Sequence, residues 1–186
     1  MQKTWDAMRV HDSVAILVFN TSRQVFVFVK QFRPAIYVNS VETHEDESGQ
    51  TRVDTSKYPG SLGLTLELCA GILDKDHTPQ QTAQMELMEE CGYKVPLDSI
   101  RKITAFRNGV GTTGSKQTLF YAEVTDAMRV GKGGGLPEEG ELIDVVETSV
   151  DRGREIILDE TVNRPVGVLF ALQWFFATVW PKKTKL

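Results

Sequence analysis

The sequence is poor in the features that mark secreted, membrane and nucleic-acid-binding proteins. It has two cysteines, too few for a disulfide framework, and its first residues contain no apolar stretch typical of a secretory signal. The most apolar segment, 165–180, is shorter than the roughly 20 residues that a membrane-spanning helix needs. The formal net charge is -4 with scattered basic residues, which argues against binding to nucleic acid or an anionic membrane. These absences predict a cytoplasmic protein.

The composition that is present is typical of an ordinary globular protein. A chain of 186 residues with 41% hydrophobic and 25% charged residues is expected to form one domain, 1–186, with its own core. Runs rich in β-branched and aromatic residues predict strands at 12–19, 24–31, 65–70, 102–106, 117–124 and 142–147. The run 25–29 is apolar throughout, so we expect layers both above and below the sheet. The segment 165–180 is predicted to be a packed helix.

The segment 39–63 differs from its surroundings. It is polar and acidic, contains Ser, Gly and Pro, and has no hydrophobic period. Such a segment cannot bury enough apolar surface to order itself firmly. We therefore expect a mobile surface insertion at this place.

A helix is predicted between the third and fourth strands. Thr78 is suited to the N-cap, Pro79 to the first helical position, Gln81 to a capping box, and Gly92 to a left-handed end. At 100° per residue, one side of this helix is apolar and is expected to pack on the core. The apolar residues are Ala83, Leu87, Met88 and Cys91.

Three glutamates fall together on another side of the same helix. Glu86, Glu89 and Glu90 are spaced i, i+3 and i+4, and like charges at this spacing repel unless something positive neutralises them. Oxygen ligands without histidine or cysteine favour a hard cation, Mg²⁺ or else Mn²⁺. The alternative is a solvated acidic helix face.

The context of these glutamates resembles the Nudix box, G-x5-E-x7-R-E-U-x-E-E-x-G-U, where U is a bulky apolar residue. Gly71 stands fifteen residues before Glu86, and the sequence from Glu86 to Tyr93 matches the end of the box. Two positions depart from it, because His77 replaces the first Glu and Met85 replaces the Arg. The stretches 30–34, 67–71 and 135–141 are similar to the branch of ADP-ribose and UDP-sugar diphosphatases. The stretches 3–6, 110–115 and 133–136 resemble most the animal UDP-sugar diphosphatases.

The resemblance implies a Nudix fold, an α/β/α sandwich with a mixed β-sheet, and a likeness that spans almost the whole chain. It implies that the Ala70 carbonyl, Glu86 and Glu90 hold metal ions, with Glu89 as a further ligand or orienting group. In the family, the Arg of the box helps to hold the glutamates, so Met85 leaves their orientation to other partners. His77 is expected to be a surface loop residue.

Further residues are implied to contact substrate. Arg33 would bind the diphosphate, for which its planar fork is suited, although a surface ion pair is an alternative. Glu139 matches a loop glutamate that acts as a base or orients water in the ADP-ribose branch, with Glu141 beside it. A glycine-rich lead-in, 131–135, would let this loop close over substrate. A plain acidic turn explains the same residues.

Two more predictions concern the edge of the site. Trp5 matches an aromatic residue that stacks on the nucleobase in related dimers, which implies a homodimer; anchoring of the N-terminus to the core is the alternative. Gly111 lies in 109–114, which has the G-x-G-x-x-G spacing of a dinucleotide fingerprint. A strand-like run follows it instead of the required helix. We therefore interpret Gly111 as part of a flexible loop at the rim of the substrate pocket.

The resulting hypothesis is metal-dependent hydrolysis of the diphosphate of a nucleoside diphosphate sugar, such as UDP-glucose to UMP and glucose 1-phosphate. Glu139 or a glutamate of the box would accept the proton. Three alternatives remain. The chain could act on ADP-ribose; Met85 and His77 could mark a catalytically weak nucleotide sensor; or the acidic helix could contact a basic partner.

Overall fold

A computed structural model describes residues 3–74 and 76–183, with the backbone but not the side chain of Glu139. The strands are β1 (Ser13–Asn20), β2 (Val25–Phe32), β3 (Thr43–Glu45), β4 (Thr51–Val53), β5 (Leu64–Glu67), β6 (Cys69–Ile72), β7 (Ile100–Arg107), β8 (Lys116–Val124) and β9 (Ile143–Ser149). The helices are α1 (Pro34–Asn39), α2 (Pro79–Glu89), α3 (Val150–Ile156), α4 (Val166–Thr178) and α5 (Trp180–Lys183).

Seven of the strands form one mixed sheet. β1 runs parallel to β8, and the other pairs are antiparallel. β1 and β2 pair directly only next to their turn, from Val18↔Val27 to Asn20↔Val25. Beyond this point the two strands diverge, and the chain 64–72 crosses the gap between them.

This crossing explains why the strand predicted at 65–70 is in fact two strands. β5 pairs with β2, whereas β6 pairs with β1, and Leu68 stands at the change of partner. The side chains keep alternating through the break: Leu66 and Leu68 pack on one face of the sheet and Cys69 on the other. Periodicity therefore predicts a single strand, because only the pairing changes.

Both faces of the sheet are covered. On one face α2 covers a core that contains Val27, Val29 and Leu87. On the other face α4, with α3 beside it, covers a core built around Phe26, Phe28 and aromatic rings such as Phe175. The prediction of an α/β/α sandwich with a mixed sheet is confirmed, and so is the burial of the run 25–29 from both sides.

Two of the helices, α2 and α4, were predicted from the sequence, and the single-domain organisation stays a prediction. The predicted C-terminal helix is α4, with Pro165 at its N-cap. Helix α3 was not predicted, because its sequence VDRGREI shows no clear hydrophobic period.

The segment 39–63 lies largely on the surface and contains the β3–β4 hairpin; its mobility stays a prediction. In the described residues, no helix combines the length and apolarity that crossing a bilayer requires.

Candidate active site

Helix α2 begins as its sequence predicts. The Thr78 hydroxyl accepts from the Gln81 backbone N–H at 3.3 Å, and the Gln81 side chain accepts from the Thr78 N–H at 2.9 Å, which completes the capping box. Ala83, Leu87 and Cys91 are buried as expected. Met88, by contrast, is 47% exposed. The face of α2 that packs on the core is therefore narrower than the 100° periodicity predicted.

Glu90 is buried, with only 2% of its surface exposed. Its carboxylate Oε2 accepts a hydrogen bond from the backbone N–H of Ala70 in β6, at 2.9 Å. Burial raises the pKa of Glu90 to about 7, since the Ala70 N–H only partly offsets the loss of water, and the carboxylates of Glu141 and Glu67 raise it further. A solvated helix face is therefore the wrong description of this residue.

Gly71 explains how Glu86 approaches the same strand. A Cβ atom at position 71 would overlap the carboxylate of Glu86. A residue larger than glycine would push this carboxylate away from β6. The glycine at the head of the box thus leaves room for a side chain fifteen positions further along.

These groups line one small pocket of about 240 Å³ at the end of the sheet. The Ala70 and Gly71 backbone forms one wall, and α2 forms another. Its charged lining residues are Arg33, Asp74, Glu86, Glu89, Glu90 and Glu141. Among the described residues, five carboxylates thus face one guanidinium, so the pocket is strongly electronegative.

Arg33 lies at the wall opposite α2 and is held by Glu67. Its Nε and Nη2 donate to the two carboxylate oxygens of Glu67 at 2.8 and 2.7 Å, and this pairing raises the pKa of Arg33. The hydroxyl of Thr65 and the amide of Gln31 also donate to Glu67. Arg33 thus forms an ion pair and also lines the pocket; its contact with a diphosphate stays a prediction.

The glycine-rich segment 131–135 lies against the C-terminal end of helix α2. Gly134 N–H donates to the Glu90 carbonyl at 2.8 Å, and Gly135 N–H donates to the Glu89 carbonyl at 3.1 Å. Gly133 has a φ of +71°, and a Cβ there would overlap the carbonyl of Glu90. These glycines dock the segment tightly on the end of α2, because only glycine permits so close an approach of the two backbones. Closure of the following loop over substrate stays a prediction.

The segment brings Glu141 into the pocket. Its Oε2 accepts from the Leu136 N–H at 2.9 Å, and its carboxylate acts on both Glu90 and Arg33. Glu139 ends the short 3₁₀ turn Pro137–Glu139, but its side chain lies outside the described part of the structure. Its predicted role as a base therefore stays a prediction.

Trp5 and Gly111 lie away from this pocket and are not among the described residues that line it. Trp5 is 72% exposed, with the Lys3 ammonium 4.1 Å from its ring centroid. The alternative that Trp5 anchors the N-terminus in the core of this chain is wrong. Met8 N–H donates to the Thr112 carbonyl at 2.9 Å, which brings the N-terminal segment beside the loop of Gly111.

Three lining or supporting residues were missed by sequence reasoning: Gln31, Glu67 and Asp74. Gln31 and Glu67 belong to the stretches 30–34 and 67–71 that carry the family resemblance, and they sit at alternate positions from Arg33 and Cys69. That alternation was a signal for a shared face. Asp74 follows β6 in a coil, where no periodicity marks it.

The donor chemistry of the pocket fits a hard divalent cation. Carboxylate oxygens and a backbone carbonyl are the ligands that Mg²⁺ prefers, and the buried negative charge at Glu90 is otherwise unfavourable. In the described residues no three carboxylate, imidazole or thiol groups stand close enough together to ligate one ion. One or two carboxylates together with the Ala70 carbonyl and water molecules are a sufficient donor set for Mg²⁺, which usually keeps several water ligands.

Comparison with known proteins establishes the class. The chain belongs to the Nudix hydrolases, enzymes that cleave phosphoric anhydride bonds. It is 48% identical over 187 residues to uridine diphosphate glucose pyrophosphatase NUDT14 of Bos taurus, covering 97% of this chain and 84% of that protein. It is 45% identical to the Mus musculus protein of the same name, covering 97% and 85%.

A more distant relative is GDP-mannose pyrophosphatase of Klebsiella pneumoniae, 30% identical over 158 residues, or 85% of this chain and 68% of that protein. No family model matches the chain. The resemblance inferred from the motifs is confirmed by these relatives.

The two departures from the box are visible in the structure. His77 is exposed in the coil before α2, as expected, and Met85 is half-buried. Where the family has the Arg of the box, this chain orients Glu90 through the Ala70 N–H and through segment 131–135, which is bonded to the Glu89 and Glu90 carbonyls. The fixed position of Glu90 therefore does not depend on residue 85.

Proposed function

We propose that this protein hydrolyses the diphosphate of UDP-sugars, with UDP-glucose converted to UMP and glucose 1-phosphate. The observation that carries the proposal is the charge of the pocket: five carboxylates and one arginine. A diphosphate cannot enter such a pocket without cations, because its negative charge is repelled there. The names of the relatives at 45% and 48% identity support UDP-glucose as the substrate.

We assign the cation to the Ala70 carbonyl, Glu86, Glu89 and Glu90, and we propose Mg²⁺, with Mn²⁺ as a substitute. A bound divalent cation neutralises phosphate charge and makes water a stronger nucleophile at neutral pH. The role of Glu90 is to present a carboxylate fixed by the Ala70 N–H. The role of Gly71 is to leave room for Glu86.

Arg33 is assigned to the diphosphate. Glu67 engages its Nε and Nη2, so Nη1 and the second hydrogen of Nη2 stay available to phosphate oxygens. Arg33 therefore does not have to abandon its ion pair when substrate binds. Because the fork is already held in place, little side-chain entropy is lost on binding.

The proton of the attacking water is assigned to Glu139 or to a glutamate of α2. Glu141 is assigned to substrate binding in the same pocket.

We assign Trp5 to the uracil and Gly111 to the rim of the site, in a homodimer whose second subunit would bring these segments to the pocket. The exposed Trp5 and its neighbouring loop support this view, and buried free thiols at Cys69 and Cys91 support a reducing, cytoplasmic location.

The test is product formation from UDP-glucose, ADP-ribose and GDP-mannose with Mg²⁺, Mn²⁺ or EDTA, followed by chromatography of the nucleotides. We expect Mg²⁺-dependent UMP, with the largest kcat/KM for UDP-glucose. Glu90→Gln should abolish it, and the exposed Glu160→Gln should not. A preference for ADP-ribose would move the protein to that branch, and binding without turnover would establish the sensor.

The homodimer is tested separately by sedimentation velocity. A single species of twice the chain mass is expected at micromolar concentration. A monomer that retains full activity would exclude any contribution of a second subunit to the site.

A further inference from the structure

A second cavity lies next to the candidate active site, on the α4 face of the sheet. It has a volume of about 140 Å³. Ala70 lines both this cavity and the diphosphate pocket, and Glu67, which holds Arg33, lines the second cavity as well. A group bound here would thus be separated from the diphosphate by one residue of β6.

The cavity has two polar side chains that are only partly satisfied. Asn108 and Gln117 both line it and are half-buried. Gln117 Nε2 donates to the Ser13 hydroxyl at 3.2 Å, and no other bond of this side chain is found among the described residues. The Asn108 amide forms no side-chain hydrogen bond with the described residues. Half-buried amides whose donors and acceptors are only partly used favour a ligand that offers both donors and acceptors.

The other lining groups indicate which ligand this is. Apart from Glu67 they are apolar, such as Leu68 and Val168, and none of the described lining residues is aromatic. Sites for nucleobases usually offer an aromatic ring for stacking. A pyranose ring, by contrast, has an apolar face and a rim of hydroxyls, which matches aliphatic walls with two amides.

We propose that this amide-lined cavity binds the glycosyl group of the substrate, with Asn108 and Gln117 donating to and accepting from its hydroxyls. The inference rests on the proposed function and goes beyond it, because it gives the glycosyl group of the substrate a binding site of its own. Glu67 then connects two steps of recognition. It aligns Arg33 on the diphosphate, and it forms part of the wall against which the sugar packs.

Gly167 offers a sharp test. It lines the cavity in the first turn of α4, and a Cβ there would lie 3.5 Å from Gln117 Oε1 and 3.7 Å from the Phe106 ring. These are ordinary contacts, so Gly167→Ala adds a methyl group beside Gln117 at the cavity wall without a clash, and alanine suits a helix better than glycine does. Gly60→Ala is the matched control, since a Cβ there meets nothing within 4 Å.

The experiment measures the KM for UDP-glucose and the inhibition constants of both products, glucose 1-phosphate and UMP. Gly167→Ala is expected to raise the KM for UDP-glucose and the inhibition constant of glucose 1-phosphate by about fivefold or more. That of UMP should stay within about twofold. Asn108→Ala should act in the same direction, and Gly60→Ala should change none of the three. Melting temperatures confirm that each variant is folded.

Two results would overturn the inference. The first is an inhibition constant of UMP that rises as much as that of glucose 1-phosphate, which would place the nucleoside in the cavity. The second is no change in either constant for Gly167→Ala and Asn108→Ala. Failure of the proposed function is distinguishable from both, because it would appear as wild-type protein that does not hydrolyse UDP-glucose.

Discussion

The carboxylate of Glu90, at the end of α2, accepts a hydrogen bond from the backbone N–H of Ala70 in β6 at 2.9 Å. This bond ties a helix to a strand at the point where both are proposed to hold a cation. It fixes the carboxylate in a place from which water is largely excluded. The same burial raises the pKa of Glu90 to about 7.

The first prediction concerns the stability cost of this burial. Because the pKa of Glu90 is raised from its ordinary value of 4.5, the folded state binds the proton more tightly than the unfolded state. The favourable contribution of the protonated carboxyl is complete below about pH 4.5 and is lost as the pH rises to 7. In EDTA at pH 8, Glu90→Gln should therefore raise the free energy of unfolding by roughly 2 kcal/mol.

The measurement is urea unfolding of both proteins at pH 8 and pH 5. At pH 5 the advantage of Glu90→Gln should shrink to less than about 1 kcal/mol. Glu160→Gln, at an exposed position, should show no such dependence. A variant that is less stable than wild type at pH 8 would contradict the prediction. The stabilised variant should nevertheless be inactive, as expected where a site is built at the expense of stability.

The second prediction concerns the fork of Arg33. Arg33→Lys replaces two fixed N–H donors toward Glu67 with a single flexible ammonium, so the diphosphate loses an aligned partner. We expect kcat/KM for UDP-glucose to fall by about 10- to 100-fold. Arg52→Lys is the matched control, because Arg52 forms an exposed ion pair with Asp46 in the β3–β4 hairpin. Equal kinetics for the two variants would exclude Arg33 from substrate binding.

The third prediction concerns Gly71. A methyl group at this position would occupy the space of the Glu86 carboxylate, so Gly71→Ala should displace that side chain. We expect kcat/KM to drop by roughly 100-fold, the cost typical of a displacement of about 1 Å at a reacting centre. Titration with Mn²⁺, followed by its paramagnetic resonance, should show weaker binding. Activity within twofold of wild type would disprove the close approach.

The fourth prediction concerns the docking of segment 131–135. Gly133→Ala places a side chain at φ +71° and against the Glu90 carbonyl. The free energy of unfolding should fall by about 2 kcal/mol or more, with activity reduced through displacement of Glu90. Gly131→Ala should be nearly neutral, since the nearest atom to its Cβ would be the Gly133 nitrogen at 4.0 Å. Thermal unfolding of the two variants decides the matter.

Local signals in the sequence predicted those elements whose ends or faces are marked by particular residue types. Thr78 and Gln81 cap α2 as expected, and the apolar run 25–29 is covered from both sides. The prediction of secondary structure failed where strand pairing, and not local composition, determines where an element begins or ends. The break at Leu68 is invisible to periodicity, and the short helix α3 follows directly on β9 without a turn signal.

The candidate site was predictable only in part for similar reasons. Spacing on α2 brought Glu86, Glu89 and Glu90 together, but it could not show that Glu90 is buried against Ala70. Glu67 was named only as part of a motif, because its role depends on a partner 34 positions away, Arg33. The loop glutamates could not be separated, since their direction is set by the backbone of Leu136 and not by their own sequence.

The crossing of the chain between β1 and β2 also limits which sequence changes this protein can accept during evolution. Glu67 pairs with Val29 of β2, and Ala70 pairs with Ala15 of β1. One added or deleted residue between them would turn every following side chain to the opposite face. Substitutions at Leu68 should lower stability gradually, whereas any change of length should abolish catalysis. The number of residues between Glu67 and Ala70 is therefore more strongly constrained than the identity of those residues.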